Sequence, residues 1–248
     1  MNILLCMPTY GPIDPQTMKS ILVAVAHAAK HGHPLQGVLN PDRLPHAAAR
    51  NIAVESIINK DECAESVIFW CDSDMVLPPD AITRLVESGK DFITGIYFQR
   101  GGDHRPLVAT FDTNKKRFNW LAKWPENVTA PIDGCGFGCV LTSVKMLREM
   151  KAPWFEYLEF SEDFDFCLKA QKAGYQLYVD TGILCGHLMD PQPATIETYV
   201  NKNSKFKLEV HNGTVRTRDQ SGNVDYGANP ENGSVREAAM EQVEFQPR

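Results

Sequence analysis

Asp72-Ser73-Asp74 directly follows the apolar run 66–71 (SVIFWC). Two carboxylates held close at a strand end repel unless a cation joins them, and a hard divalent ion with oxygen ligands and open positions does so. Such an ion would also neutralise a departing diphosphate. An Asp-x-Asp pattern alone equally describes an acidic loop that caps the next helix. Its position after a run that is apolar on both faces favours a ligand site, because ligands of open α/β sheets gather beyond the carboxyl ends of the strands.

Ser161-Glu162-Asp163-Phe164-Asp165 is the second acidic group. Acids in a first helical turn complement the helix dipole, but three carboxylates in four residues, Glu162, Asp163 and Asp165, exceed that need. One of them, set near a hydroxyl, can serve as a general base. The preceding run Trp154-Phe155-Glu156-Tyr157 offers aromatic faces suited to a sugar ring. His187, in Cys185-Gly186-His187, stands just beyond a strand and can reach a metal held by Asp74; a lone histidine is more often a structural residue. Glycines in Asp133-Gly134-Cys135-Gly136-Phe137-Gly138 allow close backbone approach, as a ligand or a tight turn requires. The spacing is neither a Walker loop nor a dinucleotide turn. Arg50, in Arg50-Asn51, can meet phosphates or lie on a solvated helix face.

Positioning these groups takes alternating strands and helices. Strands are predicted at 2–7, 35–39, 66–71, 91–97 and 175–180. Helices are predicted at 15–31, 45–59, 79–88, 143–150 and 161–173, with Gly32 and Gly174 as stops and Ser161 as an N-cap. Residues 106–120 read as a β excursion, and 132–141 as a Gly-rich loop running into a strand. Alternation of this kind predicts an α/β fold with a doubly wound, mostly parallel sheet. Pro8-Thr9-Tyr10 and Asp72-Ser73-Asp74 then share one rim. Residues 206–218 read as a hairpin turning at Asn212-Gly213, and 219–248 as a loose acidic tail or peripheral helix.

The 248 residues suit one α/β domain with a small appendage, divided here as 1–190 and 191–248. A net charge of −6 argues against general affinity for nucleic acid. Local basic stretches remain at 100–124 and 201–218. No apolar run is long enough to span a bilayer. MNILLCMPTY lacks a basic leader and a cleavage site and reads as a buried strand. Seven scattered cysteines, with only Cys135 and Cys139 close together, read as reduced core thiols. The expected location is the cytoplasm, or the host cytoplasm for a viral protein.

The order of these motifs resembles that of GT-A-fold, nucleotide-sugar-dependent glycosyltransferases of the Asp-x-Asp, single-domain kind, over roughly residues 1–190. The resemblance implies transfer of a sugar from a nucleoside-diphosphate sugar, a UDP-sugar foremost, with Mn²⁺ or Mg²⁺. It implies that Thr9 and Tyr10 border the nucleobase, that Arg50 lies near the donor, and that Pro8, Asp72 and Ser73 contact the donor. Asp74, with Asp72 and His187, would hold the metal, and Gly134 and Gly136 would line the sugar pocket. Glu162 and Asp163 match the acidic pair on the acceptor side, with Asp163 as base in inverting members. In retaining members Asp163 would position the acceptor instead. Viral enzymes of this type can modify hydroxylated bases in DNA, so the acceptor is open between a glycan and such a base. The stretch from Lys115 to Trp124 is the candidate patch for DNA.

Two other classes compete. A nucleotidyltransferase of related fold would also use metal carboxylates, but with a basic Gly-rich loop after the first strand. Residues 8–15 contain no Lys or Arg. A non-catalytic sugar-nucleotide-binding protein on a decayed enzyme fold would have lost some of the carboxylates, yet Asp72, Asp74, Glu162 and Asp163 are all present.

Overall fold

The structure is a computed structural model that describes residues 1–189 and 195–196. It also describes the backbone of three strands farther on, Lys207–His211, Thr214–Arg218 and Val224–Asp225. Apolar runs become buried strands, and helices pack on both sides of them. The order is β1 (Ile3–Cys6), α1 (Pro15–Lys30), β2 (Leu35–Leu39), α2 (His46–Glu55), β3 (Val67–Cys71), β4 (Met75–Val76), α3 (Ala81–Glu87) and β5 (Phe92–Ile96). Then come β6 (Val108–Asp112), β7 (Arg117–Trp120), β8 (Thr129–Ile132), β9 (Gly134–Cys135), β10 (Cys139–Ser143), α4 (Val144–Glu149), α5 (Glu162–Lys172), β11 (Leu177–Leu184) and β12 (Gly186–His187). The last three strands are β13 (Lys207–His211), β14 (Thr214–Arg218) and β15 (Val224–Asp225).

The central sheet has seven strands in the order β2-β1-β3-β10-β5-β11-β8. The β1–β2, β1–β3 and β5–β11 pairings are parallel, while β10 and the edge strand β8 run against their neighbours. The predicted α/β, mostly parallel sheet is therefore the observed one. Successive residues of each inner strand enter opposite cores. Leu4, Ile68, Trp70 and Val140 join α2, α4 and α5 residues such as Val54, Leu147 and Phe166. Ile3, Leu5, Phe69 and Leu141 join Ile21, Ala24, Ile82 and Leu85 of α1 and α3. This two-sided burial leaves all five residues of β3 buried and hands its last residue directly to Asp72.

Helix ends follow their local chemistry. Asp14 accepts the Gln16 N–H at 2.7 Å ahead of Pro15, and Gly32 and Gly174 take φ of +83° and +94° just past α1 and α5. Ser161 occupies the N-cap position of α5, but its side chain makes no capping bond.

The excursion is a three-stranded antiparallel sheet, β7-β6-β9. Three features depart from expectation. β8 forms despite Pro131, which an edge strand tolerates because one side of its backbone needs no partner. β11 does not end at Asp180 but continues to Leu184 past a register shift, and Asp180 pairs there with Arg84 of α3 at 2.7 Å. A two-stranded antiparallel ribbon, β4 with β12, was not anticipated. The predicted hairpin forms as β13 paired with β14, its Asn212-Gly213 turn lying outside the described residues, as does the 219–248 tail apart from β15. Among the described residues, no helix is long and apolar enough to cross a membrane. All seven cysteines are buried and free.

Candidate active site

The ribbon β4–β12 builds the first half of the site. Pairing His187 with Met75, and donating the Leu188 N–H to the Asp74 carbonyl at 2.8 Å, sets a late-chain histidine beside an early-chain aspartate. His187 Nε2 lies 3.3 Å from Asp74 Oδ2. Its Nδ1 lies 2.8 Å from the Phe98 carbonyl, which can only accept, so Nδ1 carries a hydrogen. In the neutral ring a lone pair then faces Asp74; in the protonated ring an N–H does. Arg100 Nη1 approaches the same Oδ2 at 2.8 Å. Burial opposes ionisation of Asp74, but the hydrogen bond and charge of His187 and the charge of Arg100 hold its carboxyl below the ordinary range.

The Asp74 oxygen and the lone pair on His187 form a mixed O/N donor pair that fits Mn²⁺. Their 3.3 Å separation is close to the roughly 3 Å between adjacent ligands of an ion bound at about 2.1 Å. Among the described residues no three His, Cys, Asp or Glu side chains gather closely enough to enclose a metal ion. Asp72 accordingly stands apart from the expected trio: its Oδ1 accepts from Arg50 Nη2 at 3.2 Å. A metal here would rely on Asp74 and His187, with its remaining positions left to phosphate and water, as is usual for ions that travel with a nucleotide.

Arg50 is 2% exposed. Its Nη1 donates to Glu162 Oε1 at 2.7 Å and its Nη2 to Asp72, and its guanidinium carbon sits 5.2 Å and 5.7 Å from the ring centres of Phe137 and Phe155. It thus ties the end of β3 to the start of α5. Burial works against its charge, and Asp72, Asp163 and Glu162 more than compensate. One helical turn earlier, His46 Nδ1 is 3.5 Å from Glu162 Oε1. That hydrogen bond raises the His46 pKa above its ordinary value. Burial opposes ionisation of Glu162, but the bond to His46 and the charge of Arg50 lower its pKa.

The acids of α5 divide. Asp165 accepts the backbone N–H groups of Leu158, Glu159 and Phe160, at 2.7, 3.2 and 3.1 Å, and so shapes the loop before the helix. Asp163 Oδ1 is buried without a hydrogen-bond partner. Burial pushes the Asp163 carboxyl above its ordinary value, against the pull of Arg50. Gly136 is what admits the Tyr97 hydroxyl here, since a Cβ would collide with Tyr97 Oη, and the same Cβ would lie 3.4 Å from Asp163 Oδ2. Gly134 plays a matching part for the aromatic wall, since its Cβ would strike Phe118 at 2.6 Å and Phe164 at 2.8 Å. Tyr97 accepts the Gly138 N–H at 3.1 Å and meets His187 edge-on, with ring centres 5.4 Å apart.

Asp163 and Glu162 help line a cavity of about 560 Å³ whose walls include Phe118, Trp120, Phe160 and Phe164, with His46 and Arg117 also on its lining. The expected aromatic wall is thus supplied by the excursion and α5. Trp154 and Phe155 are instead core residues, 5% and 1% exposed, and of the run's aromatic rings Tyr157 is the one open to solvent. Trp154 is held there by its indole bond to the Leu147 carbonyl, and Phe155 by its stack on Phe166. At the other end of the rim, Pro8 and Thr9 are buried and Tyr10 is exposed. The Thr9 hydroxyl is engaged by Asn40 and Asp42 at 3.1 and 3.3 Å. Ser73 is half-buried between the two aspartates. Lys115 and Lys116 project into solvent on the β6–β7 turn.

His46, Tyr97 and Arg100 were not anticipated. His46 had a signal, because it shares a helix face with Arg50 at i,i+4. Tyr97 stands just past the carboxyl end of β5, the same rim as Asp72. Arg100 had no local signal, since only the chain path around Gly101 and Gly102 brings it to Asp74.

No family model and no curated protein matches the sequence. Solved structures do. A197 from STIV has a TM-score of 0.53 at 19% identity, over 77% of this chain and 87% of that chain. GalNAc-T7, solved with UDP, GalNAc and Mn²⁺, has a TM-score of 0.52 at 14% identity, over 80% of this chain and 47% of that chain. An inositol-1-phosphate CTP transferase from T. maritima follows at 0.43 and 12% identity, over 75% and 89%. At these identities the likeness is one of fold, and the fold is GT-A-like.

Proposed function

We propose that this chain is a metal-dependent glycosyltransferase that moves a sugar from a nucleoside-diphosphate sugar to an acceptor hydroxyl. The observation that carries the reading is the pairing of Asp74 with His187, whose other ring nitrogen is committed to the Phe98 carbonyl. It stands on the same rim as a buried, unpartnered Asp163 oxygen beside an aromatic cavity. GalNAc-T7, of like fold, was solved with UDP and Mn²⁺, which favours a UDP-sugar here.

In this reading Asp74 and His187 hold Mn²⁺ or Mg²⁺. The ion supplies charge neutralisation for the departing nucleoside diphosphate. Asp72, steadied by Arg50, contacts the donor. The acceptor ring stacks against Phe118, Trp120, Phe160 and Phe164. Asp163 takes the proton from its hydroxyl, the hydroxyl oxygen bonds to the anomeric carbon, and the bond from that carbon to the diphosphate breaks. A carboxyl with a raised pKa is the better base near neutral pH. In a retaining reaction Asp163 would orient the acceptor instead. The cavity mixes Glu162 and Asp163 with His46 and Arg117, and its four aromatic rings suit the apolar face of a sugar, which favours a glycan acceptor. Retention of DNA by the protein at low salt, lost as salt rises, would favour a hydroxylated DNA base.

Product identity tests the proposal. Incubation with nucleotide sugars and Mn²⁺ should release nucleoside diphosphate, and EDTA should stop it. In a parallel incubation with a nucleoside triphosphate and a sugar phosphate, release of pyrophosphate would point instead to a nucleotidyltransferase, and no turnover of any donor to a sugar-nucleotide-binding protein.

A further inference from the structure

Arg100 is not among the residues the proposed reaction requires, yet its guanidinium lies on the oxygen that faces His187. Nη1 is 2.8 Å from Asp74 Oδ2, and His187 Nε2 is 3.3 Å from that same atom. A divalent ion bound by Asp74 and His187 needs this oxygen. The cationic side chain and the ion therefore compete for one carboxylate.

The loop that carries Arg100 has a hydrogen-bonded stem and turns at two glycines. Phe98 bridges to Pro106, the Gln99 N–H donates to the Arg105 carbonyl at 2.9 Å, and His104 Nδ1 lies 3.0 Å from the Gln99 carbonyl. The tip turns through Gly101 and Gly102 at φ of +81° and +57°, a region glycine enters at low cost. Gly101 and Gly102 are exposed, and a Cβ on Gly101 would meet nothing within 4 Å. Arg100 is 57% exposed, so its bond to Asp74 is of the weak, solvent-screened kind. The stem, by contrast, begins with the carbonyl that orients His187. One short hairpin thus fixes one candidate ligand and parks a cation on the other.

We propose that Arg100 is a diphosphate-binding arginine that rests on Asp74 until the metal and donor arrive. With Asp74 and His187 engaged by the ion, Arg100 would leave Oδ2 and its guanidinium would be available to the phosphates, for which its paired donors are well suited. This rests on the reading of Asp74 and His187 as metal ligands.

The proposal makes two measurements move in opposite directions. Titration of Mn²⁺ alone, followed by the electron paramagnetic resonance of free Mn²⁺, should find Arg100→Ala binding the ion about two- to fivefold more tightly than the native chain, the range open to an exposed ion pair. With Mn²⁺ saturating, whichever of UDP, ADP, CDP and GDP binds the native chain best should bind Arg100→Ala about tenfold or more weakly, as expected for loss of a charge-assisted phosphate contact. Arg100→Lys should restore part of both effects. Unchanged or weaker Mn²⁺ binding in Arg100→Ala, or unchanged nucleotide binding, would overturn the proposal while leaving the metal reading standing. Failure of Mn²⁺ to bind either protein would overturn both.

Discussion

Asp163 and Asp165 stand two positions apart at the start of α5 in opposite surroundings: Asp165 accepts three backbone N–H groups, whereas the buried Oδ1 of Asp163 accepts none. Spacing along a helix turns the two side chains in different directions, one back onto its own loop and one toward the cavity. The same residue type is thereby a fastening in one place and, in the proposed reaction, the base in the other.

Asp163→Asn should lower the rate of transfer by roughly 10²–10⁴-fold, the range for loss of a general base. It should not lower stability near pH 8. The sign follows from linkage: a carboxyl whose folded pKa is raised favours the folded state at low pH, and that contribution is lost as pH rises through the folded value. Above it, the charge is a burden that Asn removes. Paired activity and thermal-melt measurements check both halves. The native rate should rise with pH above the ordinary carboxylate range.

Asp165→Ala should behave in reverse. Three amides lose their acceptor, so unfolding stability should fall by about 2–3 kcal/mol. Activity should fall only as far as the 158–160 loop shifts. Urea titration against kcat separates the effects.

Arg50→Met should destabilise the fold by about 3 kcal/mol or more, because it strands Glu162 and Asp72 around a buried position. Arg50→Lys should recover little, since one ammonium cannot reproduce the fork that reaches both acids while lying over Phe137 and Phe155. Urea unfolding of the two variants checks this.

The His46–Glu162 contact should give stability a small pH dependence. The His46 pKa is raised chiefly by its bond to Glu162, so the contribution is full below the ordinary histidine value of 6.5 and fades as pH rises through the folded value. His46 is 62% exposed on its side chain, which limits the effect to a fraction of a kcal/mol. Melting curves of His46→Asn and the native chain should converge on the alkaline side of this window.

Much of the frame was legible in the sequence because burial on both faces leaves a plain mark: SVIFWC could hardly be anything but a central strand. The glycines at 134 and 136 were legible as close approaches, but not what approaches. Sequence carries no sign that Phe118, Phe164 and Tyr97 fill those spaces. The ribbon β4–β12 left no periodic trace, being two residues long on each side. The aromatic run at 154–157 misled, because hydrophobic content alone does not distinguish a core wall from a ligand wall. Asp72 was read as a donor contact and as a metal ligand beside Asp74; that one of its oxygens accepts from Arg50 of α2 left no sign in the sequence.

The central claim is that Asp74 and His187 together hold the ion that carries the donor. Thermal melting of the native chain and Asp74→Ala with a panel of nucleotide sugars, each with Mn²⁺ and with EDTA, tests it most directly. A ligand that binds only the folded state raises the melting temperature. At least one donor should raise that of the native chain only with Mn²⁺, and no donor should do so for Asp74→Ala, whose melting temperature without ligand should stay near that of the native chain. An equal, Mn²⁺-dependent rise in Asp74→Ala would contradict the account.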